Sequence, residues 1–173
     1  ENRGDGVFEP SEPYAFNNTV DARDFGQRHM IAADLDGDGA DDLVACGRGP
    51  YSTVGFVWNQ GDGTFAQPEV MLLKDLRNPV GPETYLLWRI AAADFDRDGD
   101  LDLVTLNRDA RLFRFLWNVG PRVFGEDQEA SVEEDGQRFL GAADMVVLDY
   151  DHDGDPDVVF LHQEPKWLSS EQR

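Results

Sequence analysis

Short apolar runs broken by tight polar turns make up most of the chain. Thr53 to Trp58 is β-branched and aromatic, and Arg111 to Trp117 alternates in part between charged and large apolar side chains, the period-two pattern of half-buried strands. Ile31-Ala32-Ala33 and Ile90-Ala91-Ala92-Ala93 have a composition that suits a helix. An Asp-rich turn ends each of these runs well short of the roughly 12 residues a stable helix needs, so they are predicted as strands. The pattern as a whole predicts an all-β fold.

The pattern also repeats. Ala33-Asp34-Leu35-Asp36-Gly37-Asp38-Gly39-Ala40-Asp41-Asp42-Leu43-Val44 recurs as Ala93-Asp94-Phe95-Asp96-Arg97-Asp98-Gly99-Asp100-Leu101-Asp102-Leu103-Val104 and as Leu148-Asp149-Tyr150-Asp151-His152-Asp153-Gly154-Asp155-Pro156-Asp157-Val158-Val159. A second signature, Asn59-Gln60-Gly61-Asp62-Gly63-Thr64-Phe65, has counterparts at Asn2 to Phe8 and Asn118 to Phe124 and keeps the same spacing. Its Asn and Gly supply hairpin turn chemistry. The chain therefore reads as a single segment, residues 1–173, of three repeats of roughly 58 residues, at about 1–58, 59–117 and 118–173.

Each repeat is predicted as strand, Asp loop, strand, short link, strand, Asn-Gly turn and strand, followed by a variable connection such as Gln67 to Leu86. Four antiparallel strands in that length match one blade of a β-propeller, with the small residues of the first strand lying nearest the axis where blades crowd.

The loops at 34–42, 94–102 and 149–157 carry the most specific chemistry. Asp34, Asp36 and Asp38 stand at positions 1, 3 and 5, the carbonyl of Ala40 serves position 7, and Asp42 closes the loop at position 9. The second loop offers Asp94, Asp96, Asp98, the carbonyl of Asp100 and Asp102; the third offers Asp149, Asp151, Asp153, the carbonyl of Asp155 and Asp157. An all-oxygen set of this kind suits Ca²⁺, and Gly39, Gly99 and Gly154 at position 6 allow the sharp turn around an ion. An EF-hand is excluded: position 12 holds Ala45, Thr105 or Phe160 instead of a bidentate Glu, and strands flank the loops. Mg²⁺ favours a tighter octahedron with its own waters, and Zn²⁺ favours His and Cys. Without a cation, the carboxylates packed into each loop repel one another and oppose folding. Three bound Ca²⁺ ions are expected, as structural elements.

These residues resemble the FG-GAP/VCBS class of calcium-binding propeller repeats, found in integrin α-subunit heads and in the cartilage acidic protein family. The resemblance rests on three copies of D-x-D-x-D-G-x-x-D followed by Leu or Val and covers nearly the whole chain. It implies a seven-bladed propeller and an extracellular or secreted setting. Three repeats fall short of the ~4 to 8 blades that close a propeller, so further blades are expected from a longer chain or from an oligomer partner.

Composition narrows the partners. A formal net charge of -20 leaves no basic patch to neutralise phosphates, so nucleic acid is not expected. No apolar stretch approaches ~20 residues, so no membrane span is expected, and the opening Glu1-Asn2-Arg3-Gly4-Asp5 does not read as a secretion leader. Cys46 sits in an apolar run as a small core residue.

Arg3-Gly4-Asp5 spells an adhesion tripeptide but is explained by the recurring turn, and Asn17-Asn18-Thr19 fits a glycosylation acceptor of low specificity. No nucleophile pairs visibly with His29, His152 or His162, and Glu83, Asp75 and Glu133 show no carboxylate partner for acid–base work. The connections Leu72 to Leu87 and Phe124 to Phe139 vary between repeats and are the natural place for recognition. In the first and just after it, Trp88, Tyr85, Arg77 and Arg89 read either as ligand anchors or, for Trp88, as packing between blades. The expectation is a calcium-stabilised, non-catalytic extracellular module that binds a protein ligand in adhesion or interaction. A lectin-like glycan-binding module is the alternative, and the propeller domain of a polysaccharide hydrolase or lyase a more distant one.

Overall fold

A computed structural model describes residues 26–48, 52–73, 87–107, 112–125, 128–131, 133–134, 137–138 and 140–163. Every regular element among the described residues is a β-strand, and every pairing is antiparallel. The first sheet holds β1 (Gly26–Ala33), β2 (Asp42–Arg48), β3 (Ser52–Val57) and β4 (Glu69–Leu73) in chain order. The second holds β5 (Leu87–Ala93), β6 (Asp102–Asn107) and β7 (Leu112–Leu116). The Asn-Gly turn follows as a small hairpin of β8 (Asn118–Gly120) and β9 (Val123–Phe124), and β10 (Gln128–Ser131) completes the second sheet at the edge beyond β7. A hairpin of β11 (Glu133–Glu134) and β12 (Gln137–Arg138) follows, and β13 (Leu140–Leu148) then pairs with β14 (Asp157–Gln163).

The first two sheets have four strands each, whereas β13 and β14 form a two-stranded sheet among the described residues. The fourth strands lie where the sequence reads the start of a variable connection. β4 takes the Glu69–Leu73 part of the Gln67 to Leu86 stretch, and β10 takes part of Phe124 to Phe139. Val70 and Met71 gain ladder partners in Gly55 and Val54 there, and a short apolar run next to an unpaired edge is drawn into the sheet.

The register repeats as faithfully as the sequence. Ile31 pairs with Val44, Ala91 with Val104 and Val146 with Val159, while Ala33, Ala93 and Leu148 pair with Asp42, Asp102 and Asp157. Each first strand is also irregular at the same place, between Gln27 and His29, Leu87 and Arg89, and Ala142 and Asp144. A bulge re-aims side chains, and these form a column across the sheets. The Arg28 guanidinium lies 5.4 Å from the Trp88 ring centre, Trp88 Nε1 donates to the Ala143 carbonyl at 2.8 Å, and Arg89 Nε donates to Asp144 at 2.5 Å. Trp88 and Arg89 therefore serve the junction between sheets, and of the two candidate readings for Trp88 the packing one holds. Tyr85, Arg77, Asp75, Glu83, Arg3 to Asp5 and Asn17 to Thr19 lie outside the described residues.

β1 packs against β5, and β5 against β13. The first junction buries Leu35, Val44, Cys46, Val54, Phe56, Trp58, Leu87, Ile90, Leu103 and Leu116. The second buries Val104, Leu106, Phe113 and Met145, with Phe95, Phe115, Val147, Val158 and Phe160 against them. Alternate residues of β6 thus point to opposite junctions, the period-two rule applied to a strand covered on both faces. Burial pushes the Cys46 thiol up to about 12, consistent with an inert core residue.

Candidate metal centres

The three Asp loops sit at the same end of the first hairpin in each repeat, between β1 and β2, β5 and β6, and β13 and β14. Their internal hydrogen bonds are nearly the same. The position-1 carboxylate accepts the N–H of the position-6 glycine: Asp34 from Gly39 at 3.0 Å, Asp94 from Gly99 at 3.0 Å and Asp149 from Gly154 at 3.1 Å. Asp36, Asp96 and Asp151 accept the amide two residues on, each at 3.2 Å. Position 6 is left-handed in all three, with φ of 89°, 100° and 92°, which explains the glycine. Position 4 is left-handed as well, filled by Gly37 in the first loop but by Arg97 and His152 in the others.

The outcome is convergence of carboxylates. One ligand oxygen each from Asp34, Asp36 and Asp42 lies within 4.8 Å of the other two, and the same holds for Asp94, Asp96 and Asp102 and for Asp149, Asp151 and Asp157. Positions 1, 3 and 9 therefore form the tight groups. Asp38, Asp98 and Asp153 at position 5 turn one oxygen to the loop itself, accepting the position-7 N–H of Ala40, Asp100 and Asp155 at 2.8, 2.9 and 2.8 Å.

The closing aspartate is also a structural tie. Asp42 and Asp102 are fully buried. Asp42 accepts Leu35 N–H at 3.2 Å and Asn59 N–H at 2.7 Å; Asp102 accepts Phe95 N–H at 3.0 Å and Asn118 N–H at 2.8 Å. Each asparagine answers through its side chain, Asn59 Nδ2 donating to the Asp41 carbonyl at 3.0 Å and Asn118 Nδ2 to that of Leu101 at 3.2 Å. The two repeating signatures are thus one unit, loop and turn held together. In the sequence the asparagine reads only as a turn residue, and the signal for this second role is its nearly constant distance after the closing aspartate, 17 residues in one case and 16 in the other.

Electrostatics favours a cation in these loops. Burial pushes the Asp42 carboxyl above its ordinary value, with Asp36 and Asp38 adding like-charge repulsion, and burial does the same to Asp102 with Asp96 adding to it. Asp34 Oδ1 is buried without a hydrogen-bond partner. An orphaned carboxylate oxygen among converging carboxylates is the donor set a hard divalent ion satisfies.

Matches to the FG-GAP-like repeat family run over residues 34–105 and 94–160, each beginning at the first aspartate of a loop and extending past the next loop into its outgoing strand. The chain belongs to the FG-GAP-like repeat family. No curated protein and no solved structure matches it.

The FG-GAP-like repeats are further stitched across their boundaries. Asn118 Nδ2 also donates to Leu35 O of the first loop at 2.8 Å, and Arg122 Nε donates to Asp36 at 2.7 Å while its guanidinium covers the Trp58 ring at 5.1 Å. Arg97 of the second loop pairs with Asp155 of the third. Arg122 escaped sequence reasoning because the turn position it fills is Gly63 in the repeat before, at an equivalent left-handed φ.

Proposed function

We propose that this chain is a calcium-stabilised β-propeller segment acting as a non-catalytic interaction or adhesion module in an extracellular setting. The observation that carries the reading is the threefold gathering of carboxylates at positions 1, 3 and 9, each group within 4.8 Å, on one strand-loop-strand scaffold. Asp34, Asp36 and Asp42, with their counterparts in the other loops, would hold the ions, joined by the position-5 carboxylates and position-7 carbonyls. Bound calcium would neutralise the repulsion that the loops build in and fix their shape.

The propeller reading is supported by four-stranded antiparallel sheets stacked face on face, with the small Ala91, Ala92 and Ala93 on the strand of closest packing. A stiff scaffold whose connections differ between repeats suits recognition, with a protein ligand bound by the connections. An extracellular setting fits because millimolar-range calcium loads sites of this kind.

Native mass spectrometry before and after chelation, paired with thermal melting, tests this. Three Ca²⁺ per chain are expected. Each occupied site is expected to contribute about 2.7 kcal/mol at free calcium ~100-fold above Kd. A metal-free spectrum in calcium-containing buffer, or a melting temperature unmoved by chelator, would overturn the reading.

A further inference from the structure

The residue that follows the bulge differs in kind from sheet to sheet: His29 on β1, Arg89 on β5 and Asp144 on β13 hold the same position. All three strands are edges of their sheets, so backbone groups on their free sides have no ladder partner and are met from elsewhere. At the second junction Trp88 Nε1 meets the Ala143 carbonyl, and Arg89 holds Asp144, which also accepts Met145 N–H at 3.0 Å. At the first, the counterpart of that amide, Ile90 N–H, crosses the junction and donates to His29 Nδ1 at 3.3 Å. A carboxylate therefore caps one amide and an imidazole the other.

The imidazole accepts at Nδ1 only while neutral, because both nitrogens of the imidazolium are donors. Its surroundings offer an added proton little support. Cys46 stands opposite on β2, its thiol kept neutral by burial, and Arg89 approaches from β5 with a fixed positive charge. Arg28, on β1 itself, turns its guanidinium to the neutral Trp88 ring, and the Asp144 carboxylate on β13 is already held by Arg89. Burial, and after it Arg89, hold the His29 ring below its ordinary value of 6.5, with Asp144 pulling the other way. The Arg89–Asp144 pair, by contrast, has no group that changes charge near neutrality, since Arg89 holds the Asp144 carboxyl below the usual carboxylate range.

We propose that His29 makes the first sheet junction an acid-sensitive joint: protonating its ring turns the acceptor that faces Ile90 N–H into a donor, sets a second positive charge beside Arg89 and loosens β1 from β5, while β5 stays bound to β13. The sign follows from the unfolded chain taking up the proton first. The stability that this tie contributes is complete above about pH 6.5 and is lost as the pH falls below it. Mild acid thus acts on the first junction at the end of β1 away from its Asp loop. The joint rests on the sheet packing and not on the reading of the loops as calcium sites.

NMR of the full chain between about pH 7.5 and 5.5 at fixed calcium tests this, following the His29 ring and the exchange of backbone amides with deuterium, corrected for intrinsic rates. The ring is expected to titrate below its ordinary value. The Ile90 amide is expected to exchange several-fold faster as the ring gains its proton, while the Met145 amide keeps its protection. His29→Asn keeps a side-chain acceptor with no proton to gain, and is expected to leave Ile90 protected and insensitive across the same range. His29→Gln takes its place if the shorter amide leaves Ile90 unprotected at neutral pH. A ring that titrates above its ordinary value, an Ile90 amide indifferent to that titration, a Met145 amide that loses protection alongside it, or an acid response that survives removal of the imidazole overturns the proposal.

Discussion

The first and third Asp loops share almost every internal hydrogen bond yet live in different surroundings. In the first, Asp42 is fully buried, holds two backbone N–H groups and ties the loop to the Asn59 turn, while Arg122 from the turn between β8 and β9 clasps Asp36. In the third, Asp157 is half-buried and accepts Tyr150 N–H at 2.8 Å beside an exposed Tyr150 ring. Loop shape is therefore a local property, written in aspartates and left-handed positions. Loop stability is borrowed from the neighbouring repeat.

The largest break in this comparison comes from the closing aspartates, tested in chelator so that lost metal does not contribute. Asp42→Ala strands two buried donors and is expected to lower unfolding free energy by about 3 kcal/mol; Asp157→Ala, at a more open site, by about 1 kcal/mol. Urea denaturation measures both, and equal losses would show that the surroundings contribute nothing. A smaller effect sharpens the backbone side of the comparison. His152 sits at φ 63° where the first loop has Gly37 at 74°. His152→Gly should stabilise by roughly 1 kcal/mol by releasing left-handed strain, read as a raised melting temperature, and Gly37→Ala should do the reverse.

The smallest change in stability, with a distinct change in binding, is expected at Arg122. Arg122→Gly removes an ion pair and a ring contact worth about 1 kcal/mol together and relieves a left-handed φ of 62°, so the two nearly cancel. By freeing Asp36 from a competing cation it should tighten calcium at the first loop several-fold and leave the other two unchanged. Isothermal titration checks this, and a uniform shift across all sites would show that Arg122 acts through general stability instead.

What the sequence made legible follows the same divide. The three Asp loops, the all-β fold and the two repeating signatures were readable because a left-handed glycine, a carboxylate ladder and alternating apolar residues act over a few neighbours. A fourth strand after each Asn-Gly turn is legible, but its position is not: β4 and β10 fall inside stretches that read as connections, since their short runs become strands only when an edge is there to pair with. The Arg122 clasp and the Asn118 bond to Leu35 join residues 86 and 83 positions apart, and no local pattern encodes them. In the sequence Arg89 reads as a ligand anchor and Trp88 as an anchor or as packing between blades, and it is the bulge on β5 that aims them at Asp144 and Ala143.

The Asn118 side chain grips the carbonyls of Leu35 and Leu101 at once, belonging to two loops in two repeats. The two loops cannot part without breaking at least one of these bonds, so the first junction should open as one cooperative unit. Amides of β2 and β6 would then exchange with deuterium together and late, while those of β14 exchange early. Loss of structure would begin at the third repeat and travel toward the first, giving a polar sequence of opening events to a fold whose parts are nearly alike.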